Sequence, residues 1–221
     1  MDLSQLNIFE QFTYYVQTNS IYILAQFWRH FLISIYGVLF ASIIGIPIGI
    51  IISRYSKLSQ WIISFCNVIS TIPSLALMSI LMVWLGLGVN TVIVTVTLYS
   101  LLPIIKNTYT GMKQVDPNLL DAATGIGMTL WQKLISVELP LALSVIMAGI
   151  RNALVLAIGI TSIGSFIGAG GLGDIITRGI NATDGGAIIL AGAIPTALMA
   201  IVVDLFLGWL EKRLFQPSKH I

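Results

Sequence analysis

The chain has 221 residues, of which 57% are hydrophobic and only 9% are charged. Because soluble domains carry about 25% charged residues, this composition excludes an ordinary soluble protein and indicates an integral membrane protein. The formal net charge is +2 and the basic residues form no stripe, so the sequence does not support nucleic-acid binding.

Five apolar segments predict an all-α, polytopic membrane helix bundle, since a membrane helix needs about 20 consecutive apolar residues. The 48 residues from 58 to 105 carry no formal charge, which is enough for two such helices. A glycine-rich turn at residues 86–90 separates these two. In chain order, the five predicted spans cover residues 28–53, 58–85, 91–109, 139–165 and 187–210.

The N-terminal segment has aromatic side chains among polar ones. Residues 6–25 therefore predict an interfacial helix on the outer membrane surface, although they could instead extend the first span or form a sixth. The domain organisation is then an outer segment (1–27), a membrane domain (28–213) with a polar loop (113–138), and a short cytoplasmic tail (214–221).

Lysine and arginine orient the bundle, because they concentrate in cytoplasmic loops. With five spans, most of the basic residues fall on one side: Arg54, Lys57, Lys106, Lys113, Lys133, Lys212, Arg213 and Lys219. That side is predicted to be cytoplasmic, which leaves the N-terminus outside and the C-terminus inside.

The polar loop between the third and fourth spans carries a helix-start pattern. Asp116 can cap a helix and Pro117 suits its first position. Ala122 and Ala123 are small enough for a partner's surface to approach closely, and Gly127 ends the helix. The pattern predicts a short helix over residues 117–127 that docks a partner; an ordinary amphipathic loop helix is the alternative.

A run of glycines follows the fourth span. Residues 168–173 satisfy the G-x-G-x-x-G spacing, but dinucleotide binding requires a preceding strand, and a membrane span precedes this run. The run instead predicts unwound backbone at the outer end of the span. Such backbone persists at membrane depth only when protein buries it or when it lines a water-filled cavity. A flexible outer loop is the alternative.

Two ionisable residues, Arg151 and Asp204, fall inside predicted spans. A charge at this depth is costly, so each should face the bundle interior, a cavity or a counter-charge. At a rise of 1.5 Å per residue their depths differ by about 10 Å, so a direct pair requires offset helices. They are interpreted either as a structural pair or as gate residues.

Residues 121–140 resemble the coupling loop of ABC-importer permeases, E-A-A-x3-G-x9-I-x-L-P. Asp121 and Val137 replace the usual Glu and Ile, and the matching positions are Ala122, Ala123, Gly127, Leu139 and Pro140. From residue 30 to 213 the chain is similar to binding-protein-dependent ABC-importer permeases, and most similar to the osmoprotectant permeases for glycine betaine, carnitine and choline. The stretches 71–76, 101–111, 137–141 and 145–151 carry this similarity.

The resemblance implies a type I, MetI-like importer permease in the cytoplasmic membrane of a bacterium, working by alternating access. It implies no catalytic residue, no metal site and no bound cofactor on this chain, with ATP and Mg²⁺ held by partner ATPase subunits. The other implied partners are a second permease (in a heterodimer, or alternatively a homodimer), an extracytoplasmic substrate-binding (lipo)protein and membrane lipid. The alternatives are a permease for another small solute, such as an amino acid or an ergothioneine-like betaine, and a passive osmotically gated channel.

Three sets of candidate site residues result. The ATPase-coupling set is Pro117, Leu120, Asp121, Ala122, Ala123, Gly125, Gly127 and Met128. The pathway or gate set is Thr71, Pro73, Ser74, Arg151, Asn152, Phe166, Gly170, Gly171 and Leu172. Asp174 and Arg178 are the candidate contacts to the binding protein.

Overall fold

The structure is a computed structural model that describes residues 7–215, and this part of the chain is helical with no strand. The predicted tail, 214–221, lies outside the described residues from position 216 onward. The α-helices, in chain order, are α1 (Ile8–Thr18), α2 (Ser20–Ile52), α3 (Ser56–Thr71), α4 (Ser74–Leu85), α5 (Val89–Lys113), α6 (Pro117–Gly125), α7 (Leu130–Lys133), α8 (Leu139–Ile163), α9 (Leu172–Ile180) and α10 (Gly186–Phe215).

The described residues contain four helical segments long and apolar enough to cross a membrane. They are α2, α5, the segment Leu130–Ile167 that contains α8, and most of α10. The pair α3 and α4 adds a fifth if its two bent halves count as one span. The prediction of an all-α bundle with about five spans is confirmed.

The second predicted span is wrong in one respect, because residues 58–85 do not form one straight helix. The axes of α3 and α4 make an angle of 97°. The break falls at Ile72 and Pro73, where Ile72 is extended with φ −70° and ψ 130°. Proline disfavours helical dihedrals at the preceding residue and has no N–H to continue the helix, so the chain turns there.

The centre of the bundle is the packing of α2 and α8 against α5. Glycines on α2 and α8 let the backbones approach closely, as is common between membrane helices. A Cβ at position 37 would lie 2.3 Å from Val96 Cγ1, and one at position 149 would lie 2.7 Å from Asn107 Cβ. Buried apolar side chains fill the remaining space between these helices: Ile33, Val38, Ala41, Val92, Val96, Ile104, Ala153 and Ala157.

The bundle has two ends, which α2 connects. At its beginning, the Tyr22 hydroxyl donates to Asp174 Oδ2 of α9 at 2.5 Å. Just beyond its C-terminus, Arg54 forms an ion pair with Glu138, next to the polar loop. The glycine run and the polar loop therefore lie at opposite ends of the molecule, named below the α9 end and the α6 end.

The N-terminal segment divides into two parts. Residues 8–18 form α1, which Asn7 caps through its side-chain oxygen, and residues 20–25 extend the first span as part of α2. Eleven residues rise about 16 Å, roughly half of the 30 Å hydrocarbon core, so α1 does not add a sixth span. It packs across the α9 end, where Phe12, Tyr15 and Val16 contact the cluster around Leu172 and Ile175.

Candidate functional site

The predicted docking helix exists as α6, and local hydrogen bonds define both of its ends. Asp116 Oδ1 accepts from the Asn118 amide at 2.9 Å, with Pro117 at the first helical position. The helix ends at Gly125, and Gly127 follows with a φ of +81°, a left-handed conformation that favours glycine. The predicted end at residue 127 is therefore two residues too late.

Large apolar side chains are exposed on α6, on α7 and in the turn between them, beside the exposed polar residues Asn118, Asp121 and Thr124. Ala122 is exposed, whereas Ala123 is only 6% exposed and packs inward. The large exposed side chains are Leu119, Ile126, Leu130 and Trp131, with Ile126 at 76% and Leu130 at 80%. We call these four residues and Ala122 the α6 face. The sequence analysis missed its four large members, although apolar residues inside a polar loop were the signal that could have identified them.

A π-helical turn joins this loop to α8. Residues Leu134–Glu138 are π-helical, and the Leu139 amide donates to the Leu134 carbonyl five residues back. Pro140 follows, and its missing N–H leaves the ordinary helical ladder interrupted at this point. Single π turns inside helices are frequent at functional sites. Periodicity did not predict it.

Glu138 in this turn is 3% exposed, and its carboxylate pairs with the Arg54 guanidinium that follows α2. Removing one partner of a buried ion pair leaves an uncompensated charge, so such contacts hold their elements in place. The pair thus ties the base of the polar loop to the end of the first span. The sequence predicted only that Arg54 lies on the cytoplasmic side, and it did not indicate this pair.

The glycine run adopts the predicted unwound backbone. Gly168, Gly170 and Gly171 have φ values of +79°, +73° and +81°. The Gly171 amide donates to Gln26 Oε1 at 2.7 Å, which fastens the loop to α2. This bonding differs from the loose outer loop that the alternative interpretation expected.

His30, fully buried on α2, provides a second fastening for this loop. The Leu172 amide donates to His30 Nδ1 at 3.2 Å, so the hydrogen of this ring is on Nε2, which donates to the Ile158 carbonyl at 2.9 Å. One imidazole thereby joins α2, α8 and the start of α9. No sequence motif includes His30, so this role was not predicted.

The remaining residues of this run divide between core and surface. Leu172 is fully buried in the cluster with Ile158 and Ile175, so its side chain packs in the core and does not project as a plug. Phe166 is exposed.

Asp174 accepts from Tyr22 and, at 2.8 Å, from Arg178 Nε. Burial acts to raise the pKa of Asp174, but these hydrogen bonds outweigh it and the pKa lies below its ordinary value.

The candidates Thr71, Pro73 and Ser74 lie at the break between α3 and α4. Thr71 is exposed, and its hydroxyl donates to the Val68 carbonyl at 2.7 Å, whereas Ser74 is half-buried. The Ile72 carbonyl, which the break frees, accepts from the Tyr99 hydroxyl of α5. No pattern in the sequence indicated that Tyr99 would satisfy this carbonyl.

Arg151 and Asp204 form a direct bidentate ion pair, as the structural-pair interpretation expected. Arg151 Nε and Nη2 lie 2.5 and 2.6 Å from the two carboxylate oxygens of Asp204. Gly208 on α10 leaves room for the arginine side chain, since a Cβ there would be 2.8 Å from Nη1. Neighbouring Asn152 is exposed.

The structure thus brings the candidates into four separate places: the α6 face, the α3–α4 break, the Arg151–Asp204 pair and the glycine loop. Among residues 7–215 no group of three or more His, Cys, Asp or Glu side chains could hold a metal ion.

Comparison with known proteins identifies the family. Residues 37–216 match the family described as binding-protein-dependent transport system inner membrane component. The chain belongs to this family. It is therefore a multi-pass permease component of a transporter that works with a binding protein, which agrees with the family predicted from its coupling-loop pattern.

Three curated relatives are similar over most of their length. The chain is 59% identical to the carnitine transport permease protein OpuCD of Listeria monocytogenes, covering 97% of this chain and 96% of the relative. It is 60% identical to the glycine betaine/carnitine/choline transport system permease protein OpuCD of Bacillus subtilis, covering 97% and 93%. It is 41% identical to OpuCB, a second permease protein named for that B. subtilis system, covering 90% and 91%.

Solved structures share the fold of this permease. An inward-facing conformation of the MetNI methionine ABC transporter matches with a TM-score of 0.78 at 20% identity, covering 88% of this chain and 96% of that one. An amino acid ABC transporter matches with a TM-score of 0.73 at 18% identity, covering 95% and 100%. The predicted importer-permease fold is confirmed.

Proposed function

We propose that this permease is the membrane subunit of an ATP-driven importer for the quaternary ammonium osmoprotectants glycine betaine, carnitine and choline. The observation that carries the proposal is 59–60% identity, over 97% of the chain, to permeases named for these solutes. Residues 28–213 form the permease domain, in the cytoplasmic membrane of a bacterium, with the α9 end outside and the α6 end inside.

ATP hydrolysis belongs to separate ATPase subunits in this proposal, which hold ATP and Mg²⁺. The exposed apolar character of the α6 face supports a docked partner, because large apolar side chains at a loop gain most when a partner surface covers them. Pro117 to Met128 form the coupling segment, in which Leu120, Asp121, Gly125 and Gly127 shape the helix and its end.

A second, different permease completes the pathway. Two permeases of the B. subtilis system carry the same transport-system name, and this chain is 60% identical to one and 41% identical to the other. This difference favours a heterodimer over a homodimer. At the α9 end, Asp174 and Arg178 are proposed to contact the substrate-binding lipoprotein.

Alternating access requires that the permease contact its partners differently in its inward-facing and outward-facing states. Only such a difference can shift the equilibrium between these two states. In this proposal the π turn transmits movement of α6 to α8, and the Arg54–Glu138 ion pair transmits the same movement to α2. Thr71, Pro73, Ser74, Arg151, Asn152, Phe166, Gly170 and Gly171 are the proposed pathway or gate residues, with Leu172 supporting the loop from the core.

Uptake in a bacterial strain that lacks its own osmoprotectant transporters tests this proposal. The complete set of subunits is expressed, and accumulation of radiolabelled choline, carnitine and glycine betaine is measured. We expect ATP-dependent uptake that the unlabelled solutes inhibit. Failure of all three to accumulate or compete would refute the substrate and favour an amino acid or another betaine. Uptake that persists without the ATPase subunit would indicate a channel.

A further inference from the structure

A cavity of about 270 Å³ lies at the α9 end, between α1 and the beginning of α10, apart from the four places that hold the predicted site residues. One wall is a single face of α1. The other wall is the turn before α10 and the first residues of that helix. The lining residues are Gln11, Tyr14, Tyr15, Asn19, Thr183, Asp184, Ala187 and Ile188.

The lining combines two phenol rings with one carboxylate. Asp184 is the only charged residue in it, and Asp184 makes no ion pair with any residue in the range 7–215. Within this range it is also the only residue other than glycine with a positive φ, +56°. Aspartate adopts this left-handed conformation more readily than most residues, as here in the turn before α10.

We propose that this cavity binds a quaternary ammonium cation, with the Asp184 carboxylate facing the charge and the Tyr14 and Tyr15 rings contacting the methyl groups. Aromatic rings attract such cations through the negative faces of their π systems. The Asp184 carboxylate is exposed, so it adds a charge–charge attraction that water and salt partly screen. No lysine or arginine lines the cavity to oppose this attraction.

Size and charge define the ligand further. Cavities for drug-sized ligands have volumes of about 300–1,000 Å³, so this cavity of about 270 Å³ fits a smaller molecule. A zwitterionic betaine would bring its own carboxylate towards Asp184 and be repelled. The site therefore favours a choline-like cation without an anionic group.

This inference rests on the proposed function, because it assigns one of the proposed substrates to a place on the permease itself. The cavity lies at the same end as the glycine loop, through the packing of α1 on the cluster of α9 and α10. It would hold the cation beside the outer mouth, before the cation enters the pathway.

The test uses the complete transporter, both permeases with the ATPase, in lipid nanodiscs without the binding protein. Choline binding is measured by saturation-transfer NMR and compared with 3,3-dimethylbutan-1-ol, which has the same shape without the charge. We expect choline to bind and the neutral alcohol to bind about two- to fivefold more weakly, in line with the strength of a cation–π contact at an exposed site.

Two variants locate the binding site on this chain. Asp184→Asn keeps the shape of the side chain and tolerates a positive φ, so it removes the charge without distorting the turn. Tyr14→Leu removes one ring, and Tyr36→Leu is its matched control, because these tyrosines are 46% and 47% exposed and Tyr36 lies away from the cavity. We expect weaker choline binding in the first two variants and unchanged binding in the control.

Choline binding that is equal in Asp184→Asn and the unaltered transporter would overturn the site, as would equal binding of the neutral alcohol. Uptake of labelled choline by the full system with its binding protein is measured in parallel. Uptake without binding at this cavity would refute the site alone, whereas absence of choline uptake would refute choline as a substrate.

Discussion

At the scale of single residues, a few buried polar side chains connect distant parts of this permease. Glu138, His30 and Tyr99 each bond to a segment far away in the chain. A buried polar group without a partner costs about 1–3 kcal/mol of stability, so the loss of even one of these contacts would destabilise the fold. Glu138 occupies an unspecified position of the coupling-loop pattern and the other two lie outside the motifs, so the sequence did not predict their roles.

We expect Glu138→Ala to lower the free energy of unfolding by about 1.5–3 kcal/mol, the range for hydrogen bonds to charged groups. The loss should be smaller than that of a fully buried pair, because the Arg54 side chain is 46% exposed and partly solvated. Thermal unfolding of the purified transporter measures the effect.

The double exchange Arg54→Glu with Glu138→Arg should recover part of this loss and restore coupling between ATP hydrolysis and uptake. Lys57→Ala removes an exposed charge nearby and serves as the control, with no expected change. An unaltered unfolding temperature in Glu138→Ala would contradict the tie between α2 and the π turn.

Three alanine substitutions in the glycine loop distinguish two effects of an added Cβ: backbone strain at a positive φ, and steric contact with neighbouring side chains. Gly168, Gly170 and Gly171 all have positive φ, so alanine strains each by roughly 1 kcal/mol. A Cβ at 168 meets nothing within 4 Å, whereas one at 171 lies 3.2 Å from His30 Nδ1. We therefore expect Gly171→Ala to reduce uptake more than Gly168→Ala does.

Gly170→Ala should be intermediate, because its Cβ would meet the flexible Arg29 side chain at 3.0 Å. Membrane insertion and ATPase association should be normal in all three variants, and both are measured beside uptake. If all three variants take up substrate as fast as the unaltered permease, the glycine loop has no role in transport.

At the scale of elements, the orientation of α6 decides which residues can dock a partner. Two adjacent alanines of one motif have different roles in the structure, since Ala122 is exposed and Ala123 is buried. A helix turns by about 100° per residue, so neighbours in sequence point in different directions. The motif alone did not show which alanine faces outward.

We expect Ala122→Arg to prevent the ATPase from co-purifying while the permease keeps its unfolding temperature, because the new side chain blocks only the α6 face. Ala123→Arg should instead lower the unfolding temperature, because it forces a charge into a packed position. Gln60→Arg on α3 places the same side chain at an exposed position elsewhere and should change neither measurement. Normal ATPase recovery with Ala122→Arg would contradict docking at this face.

At the scale of the whole molecule, the two ends of the bundle must face opposite sides of the membrane. Leu87, in the turn between α4 and α5, is strongly exposed, and α5 begins beside Gly164 at the α9 end. Asn118 lies on α6 at the other end. The positive-inside rule places Leu87 outside and Asn118 inside.

Single cysteines test this topology with a membrane-impermeant thiol reagent. Leu87→Cys should react in intact cells, whereas Asn118→Cys and Ser218→Cys should react only after the membrane is opened. The native Cys66 is buried, so a variant without added cysteines should give little labelling and serves as the control. Labelling of Asn118→Cys in intact cells would contradict the topology and the docking proposal together.

The sequence by itself determined the features that depend on neighbouring residues. Apolar stretches of sufficient length predicted the spans, Asp116 and Pro117 predicted the start of α6, and the glycines predicted the unwound loop. These features rest on local dihedral preferences, capping and the cost of exposing backbone in lipid, which a short window of sequence contains.

Only the tertiary structure decided how separate helices meet. The Arg151–Asp204 pair, the Arg54–Glu138 pair and the 97° bend at Pro73 depend on how the helices pack and tilt. Small residues such as Gly208 set those distances, yet a glycine in the sequence does not specify which helix will approach it. Long-range contacts follow from the summed packing of the whole bundle, so spacing along the chain does not predict them.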